Sequence, residues 1–151
     1  IVILSNAAPI GAVEAIGASF MDMVQFGRVS RDWSAGFNAI FAPFLDPVGA
    51  HAGDAPPENP DPARALSTYA GTWTNDYFGP ANLRETDGEL TLAHGPAGLA
   101  ISLRHLSGDE FNYDLIIENA PEGSVSSVTF EDGRMTVEVL NANGLGVFAR
   151  D

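Results

Sequence analysis

A hydrolytic site needs a nucleophile, a base that activates it and donors for the developing oxyanion, and this sequence can be searched for each. It contains no G-x-S-x-G elbow, and no Lys stands in the S-x-x-K relation to any Ser. It has no H-E-x-x-H, no P-loop and no G-x-G-x-x-G that opens a helix after a strand. Asn143-Gly144-Leu145-Gly146 is glycine-rich but falls between expected strands, where a turn accounts for it better than a phosphate cradle. The imidazoles are His51, His94 and His105, and no spacing among them suggests convergence with a carboxylate on a metal. Asp109-Glu110 and Glu118-Asn119 carry oxygens of the kind Ca²⁺ takes, although a solvated hairpin end explains them more simply. No catalytic residue, cofactor or metal site is expected on this chain. The aromatic run Trp73, Tyr77 and Phe78 is the candidate binding surface: these rings could line a barrel mouth and stack on a ligand. Core and corner packing is the plainer reading of the same three residues.

Those residues sit in the third of three segments. The first, 1–45, reads as strand, helix, helix. Ile1-Val2-Ile3-Leu4 is a continuous apolar run of the kind buried on both faces. Pro9 suits a first helical residue. Val13, Ile16, Phe20, Met23 and Val24 recur at helical spacing, with Gly27 as a stop. Ser30 or Asp32 starts a second helix, whose Trp33, Phe37, Ile40, Phe41 and Phe44 form one aromatic stripe suited to packing. The second segment, 46–64, holds Pro47, Pro56, Pro57, Pro60 and Pro62, a composition that predicts a semi-rigid extended linker.

The third segment, 65–151, is dense in strand signals. Strands are expected near Tyr69–Thr74, Ala81–Glu85, Glu89–His94, Leu99–Arg104, Glu110–Ile117, Val125–Glu131, Met135–Asn141 and Gly146–Arg150. Asp87-Gly88 and Asp132-Gly133 supply the positive φ values of tight hairpins. Eight short antiparallel strands point to a sheet that closes on itself and so removes its edges. The expected fold is mainly β (α+β overall), with a small up-and-down barrel as first choice and a curved half-open sheet as second. Leu92, Leu103, Leu115, Ile117, Phe130 and Val139 are expected to fill the lumen.

Composition narrows the partners. Twenty acids against seven bases give a net charge of −13, which leaves no basic stripe for phosphates and disfavours nucleic acid and anionic membrane alike. No apolar run approaches the ~20 residues of a membrane span. The absence of Cys rules out disulfides and thiolate chemistry and leaves the redox compartment open. Ile1 in place of Met leads us to expect sequence upstream of it.

A resemblance emerges from an ordered set of motifs. Tyr69-x-Gly71-x-Trp73-x-Asn75-x-Tyr77-Phe78-Gly79-Pro80 is followed by Gly88-x-Leu90-x-Leu92, Gly95-Pro96, Arg104-His105 and Gly108-Asp109-x-Phe111. Then come Glu118-Asn119-Ala120-Pro121-x-Gly123-Ser124, Val128-x-Phe130 and Gly144-Leu145-Gly146-x-Phe148-x-Arg150. Together they resemble the lipocalin-like C-terminal domain found in a branch of S12-type serine hydrolases that includes β-lactamase-related and penicillin-binding-protein-like proteins. Ile1–Pro9 with the helix carrying Glu14-Ala15 looks like the last strand and C-terminal helix of their catalytic domain. The resemblance implies that the nucleophilic Ser, its Lys and the Tyr base lie upstream. It places Asn6 near the substrate cleft, where its amide could meet a substrate carboxylate; an Asn that merely ends a strand is the equal alternative. It also implies an N-terminal catalytic half as partner and export to the periplasm or beyond.

The function expected is thus an accessory region of a serine hydrolase, which caps the cleft or mediates assembly, homo-oligomers included. The alternative is a stand-alone barrel that binds a small ligand, or an interaction module using the aromatic helix. On the first reading, Ile1–Leu4 should pair with another copy, associate with the catalytic half, or be poorly ordered, since an unpaired two-sided strand is an aggregation liability.

Overall fold

The structure, a computed structural model, describes residues 1–6, 10–117 and 120–150. The expectations for Pro9 and for Glu118-Asn119 fall outside the described residues. The chain divides into two compact units, Ile1–Asp46 and Pro47–Asp151.

The first unit is a pair of helices, α1 (Ala12–Phe26) and α2 (Trp33–Phe41), followed by a 3₁₀ turn at Ala42–Leu45. Helix α1 ends where Gly27 turns left-handed and its N–H donates to the Met23 carbonyl. Asp32 caps α2 by accepting from the Ala35 N–H at 2.9 Å. Between the helices, one oxygen of buried Asp22 accepts from the Ser30 N–H, the Ser30 hydroxyl and the Trp33 indole N–H at 2.8, 2.6 and 2.8 Å. Those hydrogen bonds from Ser30 and Trp33 hold the Asp22 carboxyl below its usual range. Ile1–Leu4 departs from expectation: it forms no strand. A strand needs a neighbour to complete its hydrogen bonds, and none of the described residues supplies one here. Ile1, Val2 and Leu4 are accordingly exposed.

The second unit is a closed antiparallel barrel of eight strands in sequential order. They are β1 (Gly71–Thr74), β2 (Ala81–Thr86), β3 (Glu89–His94), β4 (Leu99–Ser107), β5 (Glu110–Asp114), β6 (Val125–Glu131), β7 (Arg134–Val137) and β8 (Val147–Arg150). Pairing of Trp73 with Arg150 and Thr74 with Ala149 closes the barrel. The two Asp-Gly hairpins adopt positive φ at both central residues, 55° and 80° at Asp87-Gly88 and 50° and 73° at Asp132-Gly133. That combination matches the right-handed twist of the flanking strands.

Alternating side chains build one core: Leu83, Leu90, Leu92, Leu103, Leu115, Val128, Met135 and Val137, with the aromatics Tyr69, Trp73, Phe111, Tyr113, Phe130 and Phe148. Of the residues expected in the lumen, Leu92, Leu103, Leu115 and Phe130 are buried, and Val139 packs partly buried against them. Ile117 is a correction. It is 53% exposed, because β5 stops at Asp114 and the chain leaves the barrel wall before reaching it. Tyr69 also differs from expectation. It closes a 3₁₀ turn at Leu66–Thr68 rather than starting β1, and its carbonyl accepts from the Trp73 indole at 2.9 Å.

The proline-rich segment is docked on the barrel rather than free. The Val48 N–H donates to the Ser124 hydroxyl, and the Val125 N–H returns to the Val48 carbonyl at 2.9 Å. The Ala50 N–H donates to Glu138 at 2.7 Å, and Gly108 donates to the Asp61 carbonyl at 2.7 Å. Prolines forbid helix and central strand but leave these carbonyls and the intervening N–H groups free to bond outward. At Gly49 the approach is so close that a Cβ would sit 2.1 Å from the Val125 carbonyl oxygen.

Candidate functional site

A concavity of about 810 Å³ opens in the barrel unit beside the first half of β4. It arises from a divergence of two strands. Ladder partners between β4 and β5 run from Arg104↔Asn112 to Ser107↔Glu110, with a register shift between His105 and Ser107. Leu99 to Leu103, by contrast, have ladder partners on β3 alone. β5 ends at Asp114, and the Leu115 N–H extends its pairing toward β6 by donating to the Ser124 carbonyl at 2.9 Å. A groove is lined by Leu99–Ser102 of β4 and by Leu115–Ile117, with Val139 and Leu140 also in its lining. Leu99 is 72% exposed and Ile116 93%. Such values for large apolar side chains mean that the fold itself does not use them.

The polar part of the lining is small. Arg104 grips Asp114 through two parallel hydrogen bonds of 2.8 and 2.7 Å. Arg104 holds the Asp114 carboxyl below its usual range. Burial pushes the Tyr113 phenol up, so it stays neutral. Ser102 and His94 also line the groove, but they do not form a nucleophile–base pair. His94 lies opposite Leu99 and Ser102 opposite Thr91, three residues apart along the strand, or ~10 Å at strand rise. A working pair sits within roughly 3 Å.

The aromatics singled out in the sequence separate from one another. Trp73 is buried in the core, against Phe130 at 5.5 Å and under the Arg150 guanidinium. Phe78 is half-buried and stacks on Phe148 at 6.5 Å. Tyr77 is 73% exposed, edge-on to Phe78 at 4.9 Å. The residue that organises this corner is Asn75: its amide donates to the Leu145 and Val147 carbonyls, and its oxygen accepts from the Tyr77 and Phe78 N–H groups. Asn6 lies exposed in the helical unit.

Sequence reasoning missed the groove. The available signal was Leu115-Ile116-Ile117, three consecutive apolar residues where strict alternation would bury every second one.

His51 lies away from the groove, between Asp54 (Nδ1, 3.2 Å) and Glu110 (Nε2, 3.2 Å). Among the described residues no set of three His, Asp or Glu converges as a metal site. Burial opposes charge on this ring, but the hydrogen bond to Asp54 and the attraction of Glu110 outweigh it and raise the pKa. A raised His pKa stabilises fully below the unfolded value of ~6.5, and the contribution is lost as pH rises through the folded value. The proline strap is therefore held more firmly in acid. We expect hydrogen-exchange protection at Ala50, corrected for intrinsic rate, to fall roughly two- to fivefold between about pH 5.5 and about pH 8.5, the size of partly exposed ion pairs. His51→Gln should flatten that dependence; an unchanged pH profile in the variant would discard the clasp.

The closed eight-stranded barrel is similar to a solved C-terminal domain of a penicillin binding protein. The crystal structure of the C-terminal domain of penicillin binding protein Rv0907 matches at 42% identity with a TM-score of 0.61, covering 65% of this chain and 96% of that one. Residues 55–144 match the model of the family described as Domain of unknown function (DUF3471), and the chain belongs to that family. No curated protein matches the chain.

Proposed function

We propose that this chain is the accessory, non-catalytic C-terminal region of a serine hydrolase of the β-lactamase, D-amino-peptidase or esterase type. Its barrel would cap the catalytic cleft or mediate assembly with the N-terminal catalytic half of the same protein. The observation that carries the reading is the 42% identity across nearly the whole C-terminal domain of a penicillin binding protein. The groove's lack of a nucleophile–base pair agrees with an accessory role. So does the helical unit, whose Phe20, Met23, Val24 and Phe26 are exposed on α1 and await a covering surface. Export to the periplasm or beyond belongs to the same proposal; among the described residues, no helix is long and apolar enough to cross a membrane.

The test begins with translation of the coding region upstream of Ile1 and expression of the whole product. The whole product should take up a fluorescent penicillin on a Ser of an upstream S-x-x-K, while residues 1–151 alone take up none. Deleting residues 47–151 should leave labelling possible but change kcat/KM for bulky substrates by roughly tenfold, as loss of a gating element does. Labelling of the isolated chain, or an upstream region without S-x-x-K, would overturn the proposal.

A further inference from the structure

We propose that the groove lined by Leu99–Ser102 and Leu115–Ile117 is a docking site for an extended, uncharged apolar polypeptide segment, which adds to the barrel as a strand beside β4. The inference does not rest on the hydrolase reading; it concerns the barrel in whatever protein carries it.

Three independent observations converge on it. The first is backbone pairing. Among the described residues, Leu99 to Leu103 have ladder partners on β3 and none on β5, so this stretch of β4 presents an edge open to pairing. Edges of this kind are templates for an incoming strand, which supplies main-chain hydrogen bonds while alternate side chains enter pockets. The second is the lining. Leu99, Ile101, Leu115, Ile116, Ile117 and Leu140 surround the space, and its volume of about 810 Å³ lies in the range of evolved ligand sites.

The third observation is charge. Among the described residues of the lining, with His94 counted neutral, there are two formal charges, Arg104 and Asp114. They neutralise each other through a bidentate pair at 2.7–2.8 Å. An anionic amphiphile such as a fatty acid would need a free cation for its head group, and Arg104 is already committed. The charge of −13 opposes docking of a second copy. An uncharged peptide needs neither, and it satisfies main-chain groups that an acyl chain would leave unpaired.

The test uses the full chain, labelled with ¹⁵N, and an alternating valine–threonine hexapeptide that is N-acetylated and C-amidated. Saturable shifts are expected at the amides of residues 99–103 and 115–117, with a Kd of roughly 0.1–1 mM, the scale of short peptides held mainly by backbone pairing. The same peptide N-methylated at alternate residues should bind at least about tenfold more weakly, since it has lost its donors. Ile116→Asp, at a surface position, should weaken the unmodified peptide comparably while leaving the spectrum of the barrel intact. Equal binding of the methylated peptide, shifts confined to other strands, or no binding would each overturn strand addition. So would saturable binding of decanoate in the absence of peptide binding, which would reassign the groove to acyl chains.

Discussion

Phe130→Ala should destabilise the barrel by about 3–5 kcal/mol, the range for truncating a fully packed aromatic. Phe130 is the ring on which the others converge: Tyr69 at 4.6 Å, Trp73 at 5.5 Å and Phe111 at 5.9 Å from its centroid. Removing it leaves a void bordered by three large rigid rings from separate parts of the chain. They cannot collapse together without breaking the β1–β8 closure that Trp73 takes part in. For a unit near a hundred residues, each kcal/mol shifts Tm by about 4–8 °C, so a fall of roughly 12–40 °C is expected. Thermal unfolding followed by near-ultraviolet circular dichroism reads it. Tyr77→Ala is the control, since that ring is mainly solvated and its loss should stay within about 0.5 kcal/mol. A loss of less than about 2 kcal/mol at Phe130 would mean that the aromatic cluster repacks and that the aliphatic positions carry the core.

The barrel was legible in the sequence because its signals are local. Asp87-Gly88 and Asp132-Gly133 fix two hairpins by their φ requirements, and β3 and β6 run over Glu89–His94 and Val125–Glu131 as alternation predicts. What alternation cannot register is a strand cut short by long-range bonds. The expected strand from Met135 to Asn141 ends at Val137 because Glu138 is drawn into a 3₁₀ turn. Its carboxylate accepts from Ala50 and Ser127, while the Ser126 hydroxyl takes the Val139 N–H. Periodicity registers which residues are apolar, not these side-chain-to-backbone bonds, and Ala50 lies 88 residues from Glu138. The same limitation hid the groove. Leu115-Ile116-Ile117 reads as continued strand, although β5 stops at Asp114 and its ladder with β4 already ends at Asn112. The strap illustrates the converse: its prolines predict a semi-rigid linker, but composition carries no trace of the acceptors on which it docks.

Those acceptors make the second large effect specific. Asp109→Ala should cost about 1.5–3 kcal/mol, the range for losing hydrogen bonds to a charged group. The Asp109 carboxylate accepts from the buried Tyr69 hydroxyl at 2.5 Å and from Arg64 Nε at 3.0 Å. The Arg64 backbone N–H in turn donates to the Tyr69 oxygen at 3.0 Å. Asp109 is about one-third exposed, so its ion pair with Arg64 is screened and contributes little by itself. The larger part is the Tyr69 phenol, which would remain in the core with a donor and no acceptor. Tyr69→Phe removes that donor and leaves a carboxylate that water can still reach; it should therefore cost less than Asp109→Ala. In the Tyr69→Phe background, Asp109→Ala should lose less than about 1 kcal/mol, the residue left to a screened pair. The pH dependence has a definite sign. The hydrogen bond from Tyr69, then those from Arg64, hold the Asp109 carboxyl below its usual range. Its stabilisation is thus complete above the unfolded value of ~3.9 and is lost as pH falls through the lowered folded value, opposite in direction to the His51 clasp. Acid unfolding of Asp109→Ala should begin at higher pH than that of the parent. If the two substitutions instead add without coupling in a double-mutant cycle, the hydroxyl–carboxylate bond is not what fastens the strap to the core.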